Sequence, residues 1–171
     1  MKSNSIITYS LILLGIANPF LWGIAITDYS EAVNDRFGGG GENFIGYGYA
    51  FSGVGISSDS RWATMVSNNV FISSGHNYPN VNGTITFWKT NDHSGSSVTR
   101  KVLEYEMLGE IALGVLENPL PGDYQTYAIS SDNDIYEYIG RYGVLTNNDV
   151  FLVGKNDNSS FAVGHAEIRD Y

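Results

Sequence analysis

The chain has 171 residues, enough for one domain with a buried core or for one domain and part of another. A formal net charge of −9 argues against nucleic acid and anionic membrane surfaces as partners, and the absence of cysteine excludes disulfides, zinc-thiolate sites and cysteine nucleophiles. Twenty glycines and twelve tyrosines, with only 16% charged residues, favour an all-β protein with many turns.

At the N-terminus, Lys2 precedes the apolar run Ile6–Ile16, and Gly23-Ile-Ala25 supplies a small-x-small cleavage signal. This is the pattern of a secretory signal peptide over residues 1–25. Export without cysteine then points to a secreted or periplasmic bacterial protein with no membrane attachment after cleavage. Ile6–Ala25 is also long enough to span a bilayer, which leaves an uncleaved anchor open. Residues 26–46 form a polar lead-in around Gly38-Gly-Gly-Gly41. These glycines complete neither phosphate-binding pattern, so the expectation is a flexible linker.

Strand signals begin near Tyr47. Tyr49–Ile56 and Trp62–Val66 flank the turn Ser57-Ser-Asp-Ser60 as a hairpin, and Val70–Ser74 follows a Ser-Asn-Asn turn. Asn82-Gly83 marks a tight turn into Thr84–Lys89, Asp92-His-Ser-Gly95 leads to Ser97–Met107, and Ile111–Leu116 completes six strands. Strands at this spacing suit a small antiparallel barrel over residues 47–122, whose closure would hide the sheet edges. Residues 123–143 are acidic and tyrosine-rich. Val144–Val153 and Ser160–Ile168 are two further strands around the turn Lys155–Ser159.

His76 stands at the end of the third strand, after the small residues Ser73, Ser74 and Gly75 that let the backbone bend tightly. Trp62-Ala-Thr-Met-Val-Ser followed by Val70-Phe-Ile-Ser-Ser-Gly-His resembles the segment of trypsin-like (chymotrypsin-fold) serine peptidases that leads into their histidine. Glu110-Ile-Ala-Leu resembles the Asp-Ile-Ala-Leu segment carrying that family's acid, and Val150-Phe-Leu-Val-Gly-Lys with Val163-Gly-His resembles strands that open its second barrel. The resemblance implies a six-stranded first barrel of trypsin-like type, an inter-barrel connection over 123–143 and an incomplete second barrel from 144 to 171. It also implies a peptide or protein substrate.

Peptide hydrolysis of this kind needs a serine nucleophile, an imidazole base, a carboxylate that orients the imidazole, and backbone N–H donors for the oxyanion. By resemblance His76 is the base and Glu110, 34 residues later, the acid. The family normally has Asp there, and the extra methylene of Glu requires a shift on the order of 1 Å. A surface histidine and a solvated strand-start carboxylate are the plainer readings of the two residues. No Gly-Asp-Ser-Gly or Gly-x-Ser-x-Gly occurs, and Ser52, Ser73, Ser74, Ser159 and Ser160 read as strand or turn serines. This chain alone is therefore expected to be inactive. The alternative is a non-catalytic exported β-barrel that binds protein or glycan through tyrosines.

No cofactor is implied. His76, His93 and His165 do not stand at metal-ligand spacing, and the oxygens near Asp92 and in Asn156-Asp-Asn158 lack a full calcium loop pattern. Asn82-Gly-Thr and Asn158-Ser-Ser match the N-glycosylation acceptor.

Overall fold

The structure is a computed structural model that describes residues 26, 28–39, 41–129, 150–154 and 162–166. The signal-peptide stretch 1–25, most of the connection 123–143 and the turn Lys155–Ser159 lie outside these residues.

Six antiparallel strands close into a barrel in the order β1-β2-β3-β6-β5-β4. They are β1 Val54–Ser57, β2 Trp62–Met65, β3 Val70–Ser74, β4 Thr84–Trp88, β5 Ser97–Leu108 and β6 Ile111–Leu116. Closure comes from β1 against β4, with Gly55 opposite Phe87 and Ile56 opposite Thr86. Each strand has a neighbour on both sides, which covers most sheet edges, while β5 beyond Val102 pairs with β6 alone.

Period-2 alternation fills the interior. Ala63 and Met65 of β2, Ile85 and Phe87 of β4, and Ala112, Gly114 and Leu116 of β6 are buried, while the residues between them are partly exposed. Phe71 of β3 and Val102 of β5 join them, and Leu120 packs beneath. Each such large side chain contributes about 1.5–3 kcal/mol on leaving water.

Two cross-strand glycine–phenylalanine pairs make room for the largest rings. Phe71 lies opposite Gly114, and Phe87 lies opposite Gly55. A Cβ on Gly114 would stand 2.1 Å from Phe71 Cζ, and one on Gly55 would stand 2.7 Å from the Phe87 ring. Glycine at these positions lets the rings lie across the backbone of the neighbouring strand.

The first strand starts at Val54 rather than Tyr49. Val54 N–H donates to Phe51 O at 2.9 Å in a turn. Gly53 is also pressed against Gln125, whose carbonyl oxygen would be 2.0 Å from a Cβ at 53. The expected flexible lead-in is packed over its described residues. It carries α1 (Glu31–Asn34) and a 3-10 turn at Gly41–Asn43, and it buries Asn34, Arg36 and Phe44.

Arg36 holds this segment to the barrel. Its guanidinium donates to Val54 O at 3.1 Å, Trp88 O at 3.0 Å, Thr90 O at 3.2 Å and Asn91 Oδ1 at 2.9 Å. Burial pulls its pKa down to about 10, and the side chain remains a cation at neutral pH.

A separate two-stranded antiparallel sheet pairs β7 (Val150–Gly154) with β8 (Ala162–Ala166). Val153 and Val163 join Phe44, Phe51 and Val54 in a second apolar cluster outside the barrel, with Trp62 and Trp88 at its border. An isolated bridge from Asp35 to Ala162 and a 3.3 Å bond from Asn34 Nδ2 to Val163 O tie this sheet to the lead-in.

Candidate functional site

His76 and Glu110 come from two turns that the β3–β6 pairing brings together. The register runs from Val70 opposite Val115 to Ser74 opposite Ile111, so His76 lies two residues beyond the ladder and Glu110 one residue before it. Gly75 N–H then donates to Glu110 O at 2.7 Å and extends the contact past the strands.

Glycine is required on both sides. A Cβ at Gly75 would lie 2.8 Å from the Glu110 carbonyl carbon and 2.9 Å from Met107 Cε. In the β5–β6 hairpin, Leu108 pairs with Ile111 across the two-residue loop Gly109-Glu110, and Gly109 has φ 62°. A positive φ at the first central position is what a type II′ hairpin turn demands.

The irregularity between Val102 and Glu104 shapes the far end of β5. Beyond this bulge, residues 103–108 are exposed on both faces and pair with β6 alone, while β6 stays paired with β3 as far as Ile111, so the turn carrying Glu110 lies at the barrel rim. His76 N–H donates to Ser74 Oγ at 3.3 Å, which supports the corner from the other side.

At the rim the His76 imidazole contacts the Glu110 carboxylate through Nε2. The two side chains are 78% and 81% exposed, so water competes for both charges. A triad needs the carboxylate on Nδ1 and leaves Nε2 for the nucleophile. In the arrangement seen, the acid occupies the nitrogen that would meet the serine.

Beside this pair a cleft of about 900 Å³ runs between the outer surface of β2 and β3 and the second sheet. Arg61, Trp62, Ile72, His76, Ile111 and Val153 line it. A shallower groove of about 530 Å³ on the other side of His76 is lined by Arg61, Tyr78 and Tyr105 among others.

The nearby serines have backbone tasks. Ser73 Oγ donates to Trp62 O at 2.5 Å, Ser74 Oγ accepts from His76, and Ser52 Oγ accepts from Gln125 N–H at 2.8 Å. Ser159 and Ser160 lie outside the described residues.

Among the described residues Asp59 also lines the cleft, whereas Asp92, Asp123 and His93 make other contacts. Asp92 Oδ1 accepts from the hydroxyl and N–H of Ser94 at 2.8 and 2.9 Å, and these bonds hold its carboxyl below the usual carboxylate range. Asp92 Oδ1 thus serves the turn at Asp92–Gly95. Asp123 pairs with Lys89, which lowers the Asp123 pKa and raises that of Lys89. The His93 ring packs at a tilt against Phe37 and Trp88, with ring centroids 4.9 and 5.1 Å away. The His165 backbone pairs with Phe151 in the second sheet. Among the described residues no group of three histidines or carboxylates stands together in a metal-binding arrangement. No described helix is long and apolar enough to cross a membrane.

Sequence reading did not single out the Tyr78–Tyr105 pair, whose hydroxyls are 2.9 Å apart. The two residues are 27 positions apart, and only the barrel fold makes them neighbours. Compared with known proteins, the sequence matches no family model and no curated protein.

Proposed function

We propose that this chain is the N-terminal portion, the first barrel and the start of a second, of a secreted or periplasmic trypsin-like serine endopeptidase, with His76 as the general base and Glu110 as the carboxylate that orients it. The observation that carries the reading is the meeting of these two side chains at the barrel rim, beside a cleft about 900 Å³ in volume. Hydrolysis by this mechanism begins when a serine oxygen attacks the scissile carbonyl while the imidazole takes its proton. The imidazole then gives that proton to the leaving amine.

For that role the His76 ring must turn over, so that Nδ1–H meets Glu110 and Nε2 faces the cleft. The high exposure of both side chains leaves room for the turn. The sequence contains no Gly-Asp-Ser-Gly, so this chain by itself should not cleave peptides. The test uses the natural full reading frame with a fluorophosphonate probe and a protein substrate. A serine should be labelled, and neutralising the acid with Glu110→Gln should slow turnover by on the order of 10⁴-fold, as for other triads. Absence of a labelled serine, or full activity in His76→Ala, would overturn the reading.

A second reading is a non-catalytic exported barrel that binds protein or glycan. The Nε2 contact favours it, as do the exposed rings of Tyr47, Tyr49 and Tyr105. Retention of this chain on an immobilised glycan or protein panel, lost in Tyr47→Ala and Tyr105→Ala, would support it when no serine is labelled.

A further inference from the structure

Tyr78 follows His76 by two residues in the segment leaving β3, and Tyr105 lies on β5, five residues ahead of Glu110. The ring centroids are 4.3 Å apart at an interplanar angle of 48°, while the hydroxyl oxygens are only 2.9 Å apart. Hydroxyls closer than centroids mean that the rings converge toward their phenol ends. The Cε carbons flank the hydroxyl-bearing carbon, and they are the positions where an oxidised phenol carries unpaired spin. Tyr105 is 36% exposed and Tyr78 is half-buried in the same groove, so the pair is open to oxidation from solvent.

We infer that Tyr78 and Tyr105 form a preorganised site of oxidative modification, joined Cε to Cε as a dityrosine when a haem peroxidase and hydrogen peroxide act on the folded chain. Each phenol gives up one electron and one proton and becomes a phenoxyl radical. The two radicals pair in a new carbon–carbon bond. The hydrogen on each bonded Cε then moves to its ring oxygen, which restores both aromatic rings. One hydrogen peroxide accepts the two electrons and two protons and becomes two waters.

Proximity decides which rings couple. A phenoxyl radical held against a second ring meets a far higher effective concentration of partner than one searching through solution. At neutral pH both phenols are neutral, and the hydrogen bond to Tyr105 holds that of Tyr78 above its ordinary pKa. In a chain without cysteine this bond supplies the covalent staple that a disulfide would otherwise provide. It ties the segment carrying His76 to the strand that leads to Glu110.

The test treats the purified full chain, dilute enough to suppress coupling between molecules, with horseradish peroxidase and one equivalent of hydrogen peroxide. The expected product is a monomer lighter by two hydrogens, with blue dityrosine fluorescence and a cross-linked peptide joining Tyr78 to Tyr105. Tyr78→Phe and Tyr105→Phe keep the rings, and far-UV circular dichroism checks that each variant folds. Each should lower the monomer fluorescence at least tenfold, while Tyr47→Phe should leave it unchanged. A monomer of unchanged mass, a link mapped to other tyrosines, or full cross-linking in either folded phenylalanine variant would overturn the inference.

Discussion

Replacing Gly114 with alanine adds one methyl group where the barrel has no room for it. The new Cβ would stand 2.1 Å from Phe71 Cζ and 2.6 Å from both Cε atoms. Carbon atoms in ordinary contact are about 3.5–4.0 Å apart, so the ring would have to retreat by about 1.5 Å. Behind it are Met65, Ile85, Phe87, Val102 and Leu116, all fully or almost fully buried. A closed ring of strands also cannot relax by opening an edge. Overpacking of this kind costs about 1–3 kcal/mol. In a chain of this length each kcal/mol lowers the melting midpoint by about 2–4 °C.

The assay is urea and thermal unfolding followed by circular dichroism, with a double-mutant cycle. Phe71→Ala alone should cost about 3–5 kcal/mol, because it leaves a cavity at the barrel centre. In Gly114→Ala/Phe71→Ala the added methyl faces that cavity, so the double variant should be more stable than the sum of the singles by at least about 1 kcal/mol. An unchanged midpoint in Gly114→Ala, or strict additivity in the cycle, would refute the packing reasoning.

Other consequences follow from the same geometry. Arg36→Met should lose about 3–5 kcal/mol in urea unfolding, since four acceptors lose a buried charged donor; a loss below about 1 kcal/mol would contradict its anchoring role. Gly75→Ala should weaken the bond from its N–H to Glu110 O by about 1 kcal/mol, speeding exchange of that amide about fivefold, as hydrogen-exchange NMR would read. Asp92 and Asp123 have depressed carboxyl pKa values, from Ser94 and Lys89 respectively. Their stabilisation is complete above the ordinary carboxylate pKa, about 3.9, and disappears as pH falls through the depressed values. Asp92→Asn/Asp123→Asn should therefore flatten the acid limb of a plot of stability against pH, and an unchanged limb would remove these two groups from the linkage.

Much of the barrel was legible in the chain. Alternating apolar residues in Thr84–Trp88 and Trp62–Met65, Asn82-Gly83 as a turn, and the long run from Ser97 all appear as expected. The lead-in was harder to read, because Gly38-Gly-Gly-Gly41 suggests a linker and says nothing of what Arg36 meets. That arginine is satisfied by acceptors at positions 54, 88, 90 and 91, which no local pattern connects to it.

The candidate site divides in the same way. Small residues before His76 and the glycine before Glu110 are local signals for two sharp turns, and local backbone sterics are enough to specify them. Whether the turns meet depends on the β3–β6 register, which pairs Ser74 with Ile111, and on a backbone bond from Gly75 to Glu110. Which imidazole nitrogen faces the acid, how exposed the pair is, and that Tyr78 touches Tyr105 are likewise matters of distance between remote segments. By itself the sequence determined strand periodicity, turn positions and an acidic, cysteine-free composition, because these depend on near neighbours along the chain. Only the tertiary structure decided barrel closure, the glycine–phenylalanine packing and the site's neighbours, because these arise when strands far apart in sequence share one ring.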